Sequence, residues 1–528
     1  MSRTEPRELY DLLAGAVPAD PALIVGDTAW TFAELRGRVD ALDAFLRARC
    51  SAGARVALLA HNRAEYLAAY YGVPRAGRIL VSLNQRLHPR EWLDQIARSG
   101  AELLIGEPDQ LDRLRAEGTP SCRVLSFDEL PWNELPWDAP PAADGRRSGP
   151  DDTAWLMFTS GTTGRPKGVR LTHRGLLAAV RVCAAGRPVK PGDVFCTPFP
   201  LCHVAGYQVM LYHLHRRPAV VLRRFDPAAV VDAVARHGVS SLSLAPTMVD
   251  SLVSHAEEHP DALRVLRAGV RVIAYGSAPM PVALMRRAAE TLGCELGQGY
   301  GMTELSGNVA FLDADDHRAA TYGRPELAAS AGRPGPGVDI RVAAPPGGVG
   351  EVLVRAEQVT PGYWDDPDAT ARAFTGGWFR TGDLGRLDAD GYLYLVDRLK
   401  DVIITGGENV GSREVEDVLR AVPGVRDVAV VGLPDPHWGQ RVCAVVVPTG
   451  PVPPSRDDLV AACRARLAGF KAPRQIVYAA DLPRTGLGKV RKDVLRERLS
   501  RERARRVSGV EGRGTRPSAK RTRRVSDP

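Results

Sequence analysis

Ten consecutive residues, Thr159-Ser160-Gly161-Thr162-Thr163-Gly164-Arg165-Pro166-Lys167-Gly168, gather four hydroxyls, three glycines and a lysine directly after the apolar, strand-like residues 154–158. A flexible loop of this make-up can turn backbone N–H groups, hydroxyls and a cation toward a polyphosphate. The spacing lacks the Gly-Lys-[Ser/Thr] of Walker A, which argues against an ordinary P-loop ATPase. Other segments with chemical potential follow in order. They are Tyr275-Gly276-Ser277-Ala278-Pro279, Gly299-Tyr300-Gly301-Met302-Thr303-Glu304, the Thr381-Gly382-Asp383 turn, Asp397-Arg398-Leu399-Lys400-Asp401, and Pro483-Arg484-Thr485-Gly486-Leu487-Gly488-Lys489.

The ordered series resembles the signature segments of the adenylate-forming superfamily, which includes acyl-CoA and aryl-CoA synthetases, firefly luciferase and the adenylation domains of nonribosomal peptide synthetases. The resemblance implies that a carboxylate attacks the α-phosphorus of ATP and pyrophosphate leaves, so charge must be neutralised on both reactants. It assigns Lys489 to bridge the carboxylate and α-phosphate and Thr303 to contact that phosphate. Glu304 would hold Mg²⁺, a hard cation that prefers oxygen ligands, with Thr159 joining its shell. The phosphates would lie against Thr159, Ser160, Gly161, Thr162, Thr163, Gly164 and Lys167. Gly276, Ser277, Ala278, Pro279, Gly299, Tyr300, Gly301 and Met302 would flank the nucleotide. Asp383 would accept the vicinal ribose hydroxyls, an acidic role familiar from dinucleotide sites, and Arg398 would support it.

For the acyl group, Pro198-Phe199-Pro200-Leu201-Cys202-His203-Val204-Ala205-Gly206 resembles the segment that places a histidine, here His203, near the substrate carboxylate; Val204, Ala205, Tyr207 and Tyr275 complete the implied pocket. Amino-acid-activating relatives carry an acidic residue in this segment, and residues 198–206 contain none. Residues 244–249 also lack charge, so an apolar fatty or aryl acid is expected rather than an amino acid or a dicarboxylate. The second half-reaction is implied by Gly406, Gly407 and Glu408, which resemble a strand end presented to pantetheine, with Lys400 as the hinge. CoA is the expected thiol. Where the family continues with a bulky residue and proline, this chain has Val410-Gly411-Ser412, and a carrier protein's phosphopantetheine is the alternative acceptor.

These residues need a scaffold, and the pattern specifies one. At 528 residues the chain exceeds one hydrophobic core. Helical patterns alternate with short apolar runs over residues 21–222 and again over 229–312, the signature of buried parallel strands. Residues 132–150 read as a loop joining two subdomains. Turn signals over residues 323–350, with strand-like runs at 338–342 and 351–354, predict β-structure. After Arg398 a compact unit follows: a strand at 402–405, a helix bearing Val415, Val418, Leu419 and Val422, strands at 428–432 and 442–447, and a helix opened by Ser455 and Asp458 with Leu459, Cys463 and Leu467 on one face. The expected fold is α/β. It comprises an N-terminal domain of two α/β subdomains plus a β-rich one (residues 1–398), a small mobile α+β C-terminal domain (399–500) and a basic disordered tail (501–528).

With 44% hydrophobic and 25% charged residues, the composition excludes wholesale disorder and a coiled coil. Of the net charge of +8, nearly all belongs to residues 501–528, which hold ten Arg/Lys against three Asp/Glu. Nucleic-acid or membrane binding would therefore rest on this tail, around Lys520-Arg521-Thr522-Arg523-Arg524, and the remainder offers no basic footprint. Neither a nucleic-acid partner nor a transmembrane segment is expected, since no apolar run approaches the ~20 residues a span needs. The start carries no apolar signal core, and the eight cysteines form no C-x-x-C pair, so a reducing cytoplasm is the expected setting. Cys196, Cys202 and His203 fit no common zinc spacing and read as packed, reduced thiols beside a histidine.

Overall fold

A computed structural model describes residues 6–130, 148–159, 166–276, 280–405, 408–485 and 488–511. Its chain divides into two compact units, residues 1–395 with 486–488, and residues 396–485 with 489–528. The loop expected at 132–150 lies almost wholly outside the described residues.

Among its described residues the first unit contains three sheets. One runs in the order Arg123–Ser126, Ala101–Gly106, Arg55–Leu59, Ile79–Leu83, Thr153–Thr159, Lys167–Thr172, parallel except for the last strand. Runs such as Val56, Ala57, Leu58 and Leu59 are fully buried because helices cover both faces of such a sheet. The second sheet has nine strands. Its parallel centre consists of Glu295–Met302, Val272–Gly276, Ser241–Leu244, Phe195–Thr197, Ala219–Val221 and Pro21–Val25, with antiparallel strands at both margins. The third is antiparallel, built on Val338–Val342, Gly350–Ala356 and Trp378–Leu387.

The two α/β stretches read at residues 21–222 and 229–312 share one sheet. Leu23 pairs with Ala219 and Phe195 with Ser241, so strands from the first α/β stretch complete the second sheet. Periodicity identifies a buried strand from its own side chains, whereas its neighbour is chosen by the crossover path.

Several histidines of this unit are buried where acid would charge them, and His173 and His213 lie in its core. His213 is hydrogen-bonded to the Tyr71 hydroxyl (2.7 Å) and the Ala22 carbonyl (3.0 Å), and His173 Nδ1 accepts from the Leu9 amide (3.2 Å). Burial lowers both imidazoles to about 4. Between that value and the ordinary ~6.5 the unfolded chain binds protons that the folded chain refuses, so stability falls as pH drops through this window. Two such groups give a slope on the order of 3 kcal/mol per pH unit at its steepest. Urea midpoints should therefore decline steeply between pH 6.5 and pH 4.5 and stay flat from pH 7 to 8; a midpoint unchanged down to pH 4.5 would contradict the buried, neutral assignment.

The second unit pairs Val425–Asp435 with Gly439–Pro448, flanked by Ile403–Thr405, Glu408–Val410 and Gln475–Tyr478. Helix Ser412–Arg420 buries Val415 and Leu419 against it. Helix Arg456–Arg466 begins where Ser455 Oγ accepts from the Asp458 amide, and it buries Leu459 and Cys463. Residues from 501 onward were expected to be disordered, yet helix Lys492–Glu511 continues through eleven of them. Apolar periodicity is absent there, but Glu497–Arg501 and Arg498–Glu502 are i,i+4 ion pairs, which support an exposed helix. Residues 512–528 lie outside the described set. No described helix is long and apolar enough to cross a membrane.

Candidate active site

Three chemistry-bearing segments of the first unit start at the carboxyl ends of strands, where ligands of open α/β sheets bind. They follow Thr153–Thr159, Val272–Gly276 and Glu295–Met302. Thr159 and Lys167 are direct antiparallel partners, so the strands fix both ends of the hydroxyl-rich loop. Within it, Ser160, Gly161, Thr162, Thr163 and Gly164 lie outside the described residues, as do Ser277, Ala278, Pro279, Gly406 and Gly407.

The strand Glu295–Met302 passes into a single 3-10 turn, Thr303–Leu305. Leu305 is buried and Ser306 is held at φ 53° with its hydroxyl on the Gln358 carbonyl (2.7 Å), so the half-buried Thr303 and Glu304 are presented by a fixed turn. Glu304 Oε1 accepts from the Thr159 hydroxyl (3.4 Å) and the Tyr363 hydroxyl (3.2 Å). Lys167 Nζ lies 4.8 Å from the Tyr363 ring centre. Burial, reinforced by the Glu304 charge, pushes the Tyr363 phenol well up, so it keeps its proton and donates. Tyr363 carries no motif of its own and was absent from the sequence expectations.

Among the described residues both donors reach Oε1 and none reaches Oε2, a carboxylate oxygen suited to a hard cation. The same residues contain no group of three His, Cys, Asp or Glu able to cage an ion. A cation here would be shared between Glu304 and substrate phosphate oxygens, the usual habit of Mg²⁺.

On the nucleoside side, the buried Tyr300 donates its hydroxyl to Asp383 Oδ2 (2.7 Å), and the Asp383 amide bonds to Thr381 Oγ1 (3.1 Å). The expected ribose acceptor and the expected adenine neighbour are thus one rigid pair. Glycine is required at Gly276, Gly299 and Gly301 by space rather than by backbone conformation. A Cβ on Gly276 would come within 2.9 Å of the Gly299 carbonyl, and one on Gly301 would collide with that of Gly307.

The four non-histidine residues expected to hold the acyl group, Val204, Ala205, Tyr207 and Tyr275, line one cleft together with Gly276, Gly299, Gly301 and Met302. Arg187, Gln208, Ser243 and Asn308 line it too and were not anticipated. His203 precedes the turn Val204–Gly206 without a capping bond from its side chain, and its buried Nε2 has no hydrogen-bond partner among the described residues. Burial and the nearby Arg86 lower it to about 4, so it is a neutral imidazole at physiological pH. It can exchange a hydrogen bond with a carboxylate but cannot supply positive charge. Its segment is fixed by buried Asn62, which donates to the Phe199 (2.9 Å) and Leu222 (2.8 Å) carbonyls and accepts from the Leu201 amide (2.8 Å). Cys196 and Cys202 are buried free thiols, pushed up to about 12 by burial and therefore inert.

Arg398, Lys400, Glu408 and Lys489 belong to the second unit. Glu408 and Lys400 are exposed, and Arg398 is half-buried with its amide on Asp397 Oδ1 (2.7 Å). Lys489 is exposed at the end of a tight turn, with the Thr485 amide on its carbonyl (2.7 Å) and its own amide on Thr485 Oγ1 (3.2 Å). The unusual Ser412 is the first residue of its helix, fully buried. Its hydroxyl donates to Asp397 Oδ2 (2.8 Å), and Lys492 Nζ reaches both Ser412 Oγ (2.5 Å) and Glu416 (2.6 Å). Proline suits a first helical position because no N–H is needed there. Here serine supplies both an N–H and an O–H to a buried carboxylate.

Comparison with known proteins matches the family described as AMP-binding enzyme over residues 13–364 and the AMP-binding enzyme C-terminal domain over residues 414–489. The chain is 38% identical over 491 residues to a feruloyl-CoA synthase of Amycolatopsis sp, covering 91% of this chain and 96% of that protein. It is 34% identical over 489 residues to the long-chain-fatty-acid–CoA ligase FadD13 of Mycobacterium tuberculosis, covering 90% and 94%. Among solved structures it resembles the amide bond synthetase McbA from Marinactinospora thermotolerans, with a TM-score of 0.81 and 33% identity over 93% of this chain and 99% of that one.

Proposed function

We propose, from the premise that this chain belongs to the AMP-binding enzyme family as an AMP-forming acid–thiol ligase, that it activates a carboxylic acid with a largely apolar body and passes the acyl group to the thiol of coenzyme A. The observation that carries this reading is the cluster in which Thr159 and Tyr363 hold Glu304 beside Lys167 at the mouth of the hydroxyl-rich loop.

In the first half-reaction a carboxylate oxygen attacks the α-phosphorus, the bond to the bridging oxygen breaks, and pyrophosphate departs. Lys167 and the loop after Thr159 receive the phosphates, Thr303 lies beside the reacting one, and Lys489 neutralises charge between carboxylate and phosphate. Glu304 would hold Mg²⁺, which when bound offsets the charge of the phosphate oxygens. Asp383, oriented by Tyr300, takes the ribose hydroxyls. In the second half-reaction the thiol attacks the acyl carbonyl and AMP leaves. The acyl body lies along Val204, Ala205 and Met302, surfaces that favour an apolar chain or ring. Glu408 would border the pantetheine, and Lys400 is the expected pivot between half-reactions. A cytoplasmic setting suits the eight free cysteines.

The test is acid-dependent ATP–pyrophosphate exchange across a panel of carboxylic acids, followed by addition of CoA or a holo carrier protein. Exchange and a CoA thioester are expected. A thioester on the carrier protein alone would reassign the acceptor, exchange with neither thioester would remove the thiol step, and no exchange with any acid would remove the activation itself.

A further inference from the structure

Lys167 and Glu304 both approach Tyr363 and do not pair with each other. The Lys167 ammonium lies 4.8 Å from the centre of the Tyr363 ring, while the hydroxyl of that ring donates to Glu304 Oε1 (3.2 Å). One neutral side chain thus offers its π-face to the cation and its O–H to the anion. Among the described residues no ion pair joins Lys167 to a carboxylate. Such a pair would be the ordinary outcome. Opposite charges in a partly dehydrated site attract far more strongly than in water, and the flexible stem of a lysine follows a carboxylate readily. Once formed, the pair would consume the two charges that a polyphosphate and its counter-ion require, and substrate would first have to break it.

Backbone bonds, rather than the two charges, set the place of the half-buried Tyr363. It forms an antiparallel bridge with Val169, the Arg170 amide donates to the Gly362 carbonyl (3.2 Å), and the Trp364 amide donates to the Gly168 carbonyl (2.7 Å). Its own amide donates to Thr370 Oγ1 (2.9 Å). Gly362 is held at φ 142°, and a Cβ there would press on the Thr370 side chain, so only glycine lets the chain enter at this angle. The same stretch grips the other charge. The Thr360 amide donates to the Glu304 carbonyl (2.8 Å) and its hydroxyl to the Arg170 carbonyl (2.7 Å). Residues 360–364 therefore register the strand that begins at Lys167 against the turn that carries Glu304.

We infer that Tyr363 is a positioning residue whose ring keeps Lys167 and Glu304 from pairing, so that both charges stay available to a polyphosphate before any substrate arrives. This rests on the reading that the loop after Thr159 takes the phosphates of ATP, and it adds how the receiving charges are kept apart in the empty protein. A residue that only filled space here would need neither the hydroxyl on Glu304 nor the ring under Lys167.

The experiment measures ATP affinity by calorimetry in EDTA, where no metal links Glu304 to the phosphates and the attraction falls to Lys167. Tyr363→Leu is expected to weaken binding about tenfold, the scale of one charged hydrogen bond, because Glu304 then engages the lysine. Tyr363→Phe retains the ring and should bind nearly as the wild type does. Adding Glu304→Gln to Tyr363→Leu should recover most of the loss, whereas the same change in the wild-type background should raise affinity far less. Tyr363→Met, closer to the ring in volume, takes the place of the leucine variant if that one does not fold. Unweakened binding by the ring-deleted variant, a loss that Glu304→Gln leaves in place, or equal gains in both backgrounds would overturn the inference, the second result marking a tyrosine that only shapes the turn. Wild-type binding that requires Mg²⁺ would overturn it as well, since Lys167 would then not be free to receive phosphate. Failure of the wild-type protein to bind ATP with or without Mg²⁺ would instead overturn the phosphate-site reading beneath it.

Discussion

Replacing Lys489 by alanine is expected to lower acid-dependent pyrophosphate exchange by at least ~100-fold while ATP still binds, because a preorganised cation at the point of charge transfer contributes on this scale. The effect should be catalytic rather than structural. The turn that carries Lys489 is set by its backbone bonds to Thr485, the Arg484–Val490 bridge and the ion pair of Arg484 with Asp427. Its side chain is exposed, so truncation should change stability by no more than ~0.5 kcal/mol. Two measurements separate the possibilities. Thermal melting should be unaltered, and supplying a preformed acyl-adenylate should restore thioester formation. Near-normal exchange, or a loss of both half-reactions together, would contradict the assigned role.

Glu304→Gln should be the next most damaging change, with exchange down ~100-fold and the Mg²⁺ concentration for half-maximal rate raised. The substitution preserves shape and removes one negative charge. In the wild-type protein Glu304 Oε1 already serves Thr159 and Tyr363, so the carboxylate is oriented before any substrate arrives. A fixed ligand of the right charge contributes most where the remaining ligands come from the substrate, and the described residues contain no group of three His, Cys, Asp or Glu that could hold the ion without it. Titrating Mg²⁺ at saturating ATP checks the claim. A variant with an unchanged Mg²⁺ requirement would show that Glu304 only holds the turn.

The legible part of this molecule is the part encoded in neighbouring residues. The hydroxyl-rich loop was expected after a buried apolar strand, and Thr159 ends such a strand, paired with Lys167. Ser455 caps its helix as its side chain demands, and the glycines at 299 and 301 lie where backbone and side chains leave no room for a Cβ. Single residues delivered from distant elements were not legible. Tyr363 reaches Glu304, Asn62 fixes the segment before His203, and Arg187 enters the cleft, each alone on its element with no local pattern to announce it. Strand order was not legible for a related reason: Leu23 and Ala219 are neighbours through a crossover of nearly two hundred residues. The helix past residue 500 escaped notice because its sequence has no apolar spacing, and the ion pairs at its start leave no such pattern.

The serine at position 412 has an evolutionary consequence. Asp397, Ser412, Lys492 and Glu416 satisfy one another in a buried group, so none can be exchanged by itself without orphaning a partner. Proline introduced at 412 would remove two donors from Asp397 and the acceptor of Lys492, a loss of roughly 1.5–3 kcal/mol for each charged hydrogen bond. Exchanging this serine for proline would therefore need coordinated changes at Asp397 and Lys492, and the single substitution would pass through a less stable protein.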